Sequence, residues 1–353
     1  MFYWFYRHLD INIFQYISVR AGIGFFIAFF LTVFLMPKFI QWAKAKKANQ
    51  PIYELAPDSH QAKVGTPTMG GLLFVSTTII AIVLTAKLNN IYVIGALVTI
   101  ALFCLIGIKD DLAKITKNKN EEGLTPRMKI ILQCFASLVV IGILFYGDHS
   151  TTFYIPFKKS SLFDMGFYAI IFWILVMIAS TNAVNLTDGL DGLATVPSVI
   201  AFFTLSLIVY ITGHAILSEY LLLPNIKVAG ELAIVGASFI GALIAFLWFN
   251  SHPAQVFMGD SGSLTIGGLM GYMAIVAKSE ILLIAIGFIF VLEAVSVILQ
   301  VGSFRYRKKR VFLMAPIHHH FEQKGWMENK IIVRFWIIAF MTNLIALASL
   351  KIR

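Results

Sequence analysis

Ile91-Tyr92-Val93-Ile94-Gly95-Ala96-Leu97-Val98-Thr99-Ile100-Ala101-Leu102-Phe103-Cys104-Leu105-Ile106-Gly107-Ile108 carries no charge, and Lys109-Asp110-Asp111-Leu112-Ala113-Lys114 follows it directly. A hydrocarbon core of about 30 Å takes roughly 20 apolar residues of helix, so the run reads as a membrane span. Its end delivers two adjacent carboxylates to a membrane face, where charge is costly and needs a reason. Solvated acids at an ordinary helix end are one reading. A surface site for cations and phosphates is the other, and the remaining loops decide between them.

The chain of 353 residues is 59% hydrophobic and only 13% charged, with a mean hydropathy of +0.82. That composition excludes a soluble domain and predicts an all-α integral membrane protein, one polytopic domain over residues 1–353. Ten apolar runs qualify as spans: 17–37, 70–86, 91–108, 129–147, 166–185, 195–212, 229–249, 264–277, 281–302 and 331–350. Strand alternation of the kind a barrel needs is missing. The net charge of +10 does not point to nucleic acid here, because its sidedness explains it. Loops on one side hold 17 Lys and Arg, and segments on the other hold 8, which predicts the first set in the cytoplasm and both termini outside. Cys104 and Cys134 fall inside spans and read as packing residues.

Five cytoplasmic loops carry the chemistry. The first holds Lys63-Val64-Gly65-Thr66-Pro67-Thr68-Met69-Gly70-Gly71, whose Gly and Pro expose backbone N–H groups beside the Thr68 hydroxyl and the Lys63 amine, a setting for an anion. In the second, Lys114 lies four residues past Asp110, on the same helix face. The third, Asn182-Ala183-Val184-Asn185-Leu186-Thr187-Asp188-Gly189-Leu190-Asp191-Gly192, gathers oxygen ligands at a helix end without the spacing of an EF-hand. The fourth runs from Asn250 through Phe257 to Gly259-Asp260-Ser261-Gly262-Ser263, a hard carboxylate at a helix start that suits Mg²⁺ and phosphate. The last contains a basic cluster from Arg305 to Arg310, suited to anionic lipid heads, and then Pro316-Ile317-His318-His319-His320-Phe321-Glu322. Three successive histidines cannot all face one metal from a helix, so one or two as phosphate donors is the better reading. Oxygen ligands with scattered lysines point to Mg²⁺ and phosphate. Walker A and dinucleotide fingerprints are absent from the sequence.

These five motifs, in this order along the whole chain, resemble the polyprenyl-phosphate N-acetylhexosamine-1-phosphate transferases. The triple histidine after Pro316 and the Thr66-Pro67-Thr68-Met69-Gly70-Gly71 stretch are similar to the muramoyl-pentapeptide branch rather than the N-acetylglucosamine branch. The resemblance implies transfer of phospho-N-acetylmuramoyl-pentapeptide from UDP to undecaprenyl phosphate at the bacterial inner membrane, with Mg²⁺ as cofactor. It implies Asp260 as first metal ligand, helped by Asp110 or Asp111, with the pair and His318 also catalytic. Lys63, Asp191, Asn250 and Phe257 are implied on the uridine side, with Asn185 and Asp188 nearby; Thr68, Lys114, Asn182, His319 and His320 complete the expected substrate contacts. Whether an aspartate acts as base or forms a phospho-enzyme stays open, as does a homodimer. An anion transporter is the rival from another class. It fits poorly, because Glu293 is a rare mid-span charge while the acids of the five motif loops lie at span ends on one face. A CDP-alcohol phosphotransferase is suggested by Asp188-Gly189-Leu190-Asp191-Gly192, but that motif needs Ala-Arg where Thr195-Val196 stand.

Overall fold

The computed structural model describes residues 1–46, 65–117 and 123–352. Its helices are α1 (Phe2–Leu9), α2 (Ile17–Ala45), α3 (Gly70–Thr85), α4 (Ile91–Lys117), α5 (Pro126–Tyr146), α6 (Tyr168–Thr187), α7 (Thr195–Thr212), α8 (Ala215–Tyr220), α9 (Leu232–Asn250), α10 (Asp260–Val276), α11 (Leu283–Ile286), α12 (Phe288–Arg307), α13 (Ile317–Gln323) and α14 (Glu328–Ser349). Among the described residues eight helices, α2, α4, α5, α6, α7, α9, α12 and α14, are long and apolar enough to cross a membrane. The chain is therefore a multi-pass, mostly helical membrane protein.

The two shorter helices, α3 with 16 residues and α10 with 17, stand among these eight. Every residue of α10 is buried, so it forms the axis on which the bundle packs. Small residues make that possible: a Cβ on Gly267 would lie 2.4 Å from Thr181 Cα on α6.

Two elements differ from the hydropathy reading. The first span continues eight residues beyond Pro37 to Ala45, because Met36, Ile40 and Ala43 keep one buried stripe at helical spacing past the proline. The run 281–302 is broken at Gly287, where φ −93° and ψ 24° leave the helical region and divide α11 from α12. Asn343 on α14 donates to the Ile286 carbonyl at 2.8 Å and fixes that break. Outside the helices, Thr152–Phe153 pairs antiparallel with Phe163–Asp164 in a two-residue hairpin. At the same end of the bundle, Arg20 on α2 is fully buried and pairs with Glu231 at 2.6 Å, so this charge inside an apolar run is compensated.

Candidate active site

The ends of α4, α6 and α9 and the starts of α5 and α10 converge at the opposite end. Asp111 caps α10: its Oδ1 accepts from Asp260 N–H at 2.9 Å and its Oδ2 from Ser261 N–H at 3.0 Å. A carboxylate here meets two donors that have no partner within their own helix, along with the positive end of the helix dipole. The approach is close, since a Cβ on Gly107 would lie 2.3 Å from the Asp260 carbonyl oxygen. The loop before α3 is stitched to the same place. Phe257 N–H donates to Pro67 O at 2.8 Å, and Gly70 and Gly71 N–H donate to the carbonyls of Phe257 and Met258 at 2.9 and 2.8 Å. Thr68 is buried beside Gly259.

Two lysines bridge the acids. Lys114 Nζ is 2.6 Å from Asp110 Oδ2 and 3.2 Å from Asp260 Oδ1; Lys129 Nζ is 2.6 Å from Asp260 Oδ2 and 3.3 Å from Asp110 Oδ2. The other Asp110 oxygen accepts from Leu124 N–H at 2.8 Å. Asn185 donates to Asp260 Oδ1 at 3.0 Å and to Ser263 Oγ at 2.9 Å. Lys129 is the main member that the sequence reading missed. It sits on the first turn of α5 after the Thr125 cap and Pro126, and its one signal was a cation, two residues past Arg127, at the head of an apolar run.

A second group flanks the first. Asp191 Oδ2 accepts from Ala254 N–H at 3.0 Å and lies 3.1 Å from His252 Nδ1, which is 3.6 Å from Glu328 Oε1. Asn250 is buried and acts as a strut: its Oδ1 accepts from Gly192 N–H at 3.1 Å and Thr195 Oγ1 at 3.0 Å, and its Nδ2 donates to Val256 O at 3.0 Å. That strut sets the segment carrying the half-buried Phe257 against the 188–192 turn. Asp188 stands between the two groups. Burial, then the charges of Asp260, Asp111 and Asp191, push its carboxyl up to about 8. His252 and Glu328 were not singled out by motif.

The three histidines face three ways. His318 is buried with Nδ1 3.1 Å from Glu293 Oε1; His319 pairs with Glu322 at 2.6 Å; His320 Nδ1 accepts from Leu313 N–H at 3.1 Å. Asn182 turns away from the acids, donating to Gln133 Oε1 on α5 at 2.8 Å. Lys63 lies outside the described residues.

Asp110, Asp111 and Asp260 each offer a carboxylate oxygen, all within 4.8 Å of one another. The donor set is entirely hard oxygen, and each Asp111 oxygen keeps a lone pair beyond its backbone bond. Two ammonium groups already neutralise the space between Asp110 and Asp260. These residues fit Mg²⁺, whose charge would share that space with the lysines.

Residues 93–278 match the profile described as glycosyl transferase family 4, and residues 63–75 match phospho-N-acetylmuramoyl-pentapeptide-transferase signature 1. The chain is 71% identical over 353 residues to the phospho-N-acetylmuramoyl-pentapeptide-transferase of Aliarcobacter butzleri, covering 100% of both chains. It is 61% identical over 354 residues to the protein so named from Nitratiruptor, again covering 100% of each. The similarly named protein of Campylobacter jejuni is 61% identical over 341 residues, 96% of this chain and 97% of that one.

Proposed function

The chain belongs to the phospho-N-acetylmuramoyl-pentapeptide-transferase family, and on that footing we propose that the site at the end of α4 carries the family's transfer. The protein is a phosphoglycosyl transferase of peptidoglycan synthesis: it moves phospho-N-acetylmuramoyl-pentapeptide from its UDP-linked donor to undecaprenyl phosphate, forming lipid I and UMP. The observation that carries the site is the pair of lysines shared between Asp110 and Asp260 beside the Asp111 cap. Two anions must meet here, and fixed cations screen their repulsion without reorganising during the reaction.

In the reaction an oxygen of the lipid phosphate forms a bond to the β-phosphorus of the donor, the bond from that phosphorus to the α-phosphate oxygen breaks, and UMP leaves with the electron pair. The oxygens of Asp110 and Asp111 are already engaged. One has an oxygen held by Leu124 N–H and the other between two ammoniums, while both oxygens of the second bind backbone donors. Our reading is direct attack by the lipid phosphate, itself already a nucleophile, with Asp110 able to hold its proton. Asp260, Asp110 and Asp111 would hold Mg²⁺, which when bound withdraws charge from the diphosphate and the departing UMP. Lys63, Asp191, Asn250 and Phe257 belong to the uridine side, with Asn185 and Asp188 nearby, and Thr68, Lys114, His319 and His320 complete the substrate contacts.

An apolar cavity of about 340 Å³ between α6, α10 and α12 runs from Glu280 to Val184, next to Asn185, which supports seating of a polyprenyl chain. The membrane arrangement goes with this reading: one polytopic domain of ten spans, counting the short α3 and α10, both termini outside and the site in the cytoplasm, in the inner membrane. The test is Mg²⁺-dependent release of UMP from UDP-N-acetylmuramoyl-pentapeptide in detergent, requiring a polyprenyl phosphate. No release with all components present would overturn the assignment. Exchange of labelled UMP into the donor without lipid would overturn direct attack alone.

A further inference from the structure

Glu293 is fully buried within α12, the one mid-span acid that the sequence marked and the transfer does not use. A carboxylate at such a position costs several kcal/mol unless something compensates it, so its partner matters. That partner is His318, also fully buried, whose Nδ1 stands 3.1 Å from Glu293 Oε1. That approach is an ion-pair contact and not a formed hydrogen bond: both ring nitrogens of His318 and both carboxyl oxygens of Glu293 are buried without a hydrogen-bond partner among the described residues. Nε2 is aimed at the turn after α6: a Cβ on Gly189 would lie 2.4 Å from it, so only the bare backbone next to Asp188 fits there. The two following histidines are held elsewhere by Glu322 and by Leu313 N–H, leaving His318 as the member of the triplet that faces this turn.

We propose that Glu293 is a positioning residue for the transfer: its carboxyl group, 3.1 Å from Nδ1 of His318, is the acceptor that orients the ring so that Nε2 packs on the Asp188–Gly189 turn and sets that turn beside the acid cluster. A buried imidazole can place its proton on either nitrogen, and the partner of one nitrogen decides what the other presents. Glu293 removes that ambiguity.

The inference rests on the reading above that His318 serves the transfer, and the experiment separates the two. Steady-state kinetics with both substrates would be measured for Glu293→Gln, Glu293→Met, His318→Gln and the double variant Glu293→Met/His318→Gln. Glu293→Gln keeps an acceptor for Nδ1–H and should stay within about threefold of the parent, whereas Glu293→Met should lose kcat by about 30-fold with KM for the UDP donor nearly unchanged. In the His318→Gln background the Glu293→Met change should cost less than about twofold further. Nitrogen-15 spectra of labelled histidine, assigned by the signal lost in His318→Gln, should show Nδ1 protonated in the parent and in Glu293→Gln but not uniformly so in Glu293→Met. Losses that multiply in the double variant, or an unchanged His318 signal in Glu293→Met, would overturn the positioning role. Full kcat in His318→Gln would overturn the part given to His318 itself.

Discussion

Asp111 on α4 binds the backbone N–H of Asp260 at 2.9 Å, so one acid of the pair fixes the helix whose first residue is the third acid of the cluster. The second Asp111 oxygen serves Ser261, and the carboxylate thus has a structural duty that Asp110 does not share. Asparagine in its place can accept only one of these bonds and turns an amide N–H toward the other donor. Asp111→Asn should therefore lower stability by about 1–2 kcal/mol, the usual worth of a helix cap, and lower activity with it. Asp110→Asn should abolish activity with a smaller thermal shift, and equal thermal shifts for the two variants would remove the division of labour.

Lys129 and a divalent cation compete for the same charge on Asp260. Its Nζ is 2.6 Å from Asp260 Oδ2 and also reaches Asp110, which makes it both a screen for the substrates and a rival of the metal. Lys129→Met should lower kcat by about 100-fold, as loss of a fixed charge at a phosphoryl centre does. The half-saturating Mg²⁺ concentration should fall, because a nearby positive charge has been removed. A Mg²⁺ requirement that rises instead would make Lys129 a ligand support rather than a competitor.

Much of this site was legible because membrane burial makes charge conspicuous. Asp110 and Asp111 stood out at the end of an apolar run, Asp260 at the start of another, and Asn185 and Asp188 at the end of a third, and the fold brings these ends together. Lys129 was hidden because a cation heading a span looks like topology. Asn182 lies three residues before Asn185, yet its amide serves Gln133, a choice made by how α5 packs on α6 and not by spacing. The breaks behaved the same way: a run of apolar residues does not reveal that Gly287 leaves the helix, and Pro37 does not stop one whose buried stripe continues. The pairing of Glu293 with His318 joins two elements that no local pattern connects.

Gly107 measures how tightly α4 must approach α10. An added Cβ would meet the Asp260 carbonyl oxygen at 2.3 Å and Ser261 Cα at 2.4 Å, both backbone atoms that can move only if the helices part. Gly107→Ala should cost about 1–3 kcal/mol from overpacking and should lose most activity, since the shift falls on the Asp111 cap. Gly142→Ala on α5, where a Cβ meets nothing within 4 Å, is the control and should be neutral or stabilising by up to about 1 kcal/mol. Comparable losses in the two variants would mean that the close contact is not what holds the site.

At the opposite end of the bundle Lys278 lies just past α10 with Nζ 4.8 Å over the Trp173 ring and against the Ser150 carbonyl. Burial lowers its pKa to about 8 from an ordinary 10.5, although Glu280 and Asp164 pull the other way, and His149 is the remaining titratable neighbour. The sign follows from proton counts. Between about 8 and 10.5 the unfolded chain holds a proton that the folded one has released, so stability rises with pH across that window and the cost of the buried ammonium is constant below it. The whole effect is on the order of 3 kcal/mol. Lys278→Met should melt higher than the parent at pH 7, and the difference between the two should shrink as pH rises from 8 to 10.5. A difference that does not change with pH would mean that Lys278 keeps its ordinary affinity for protons in the folded protein.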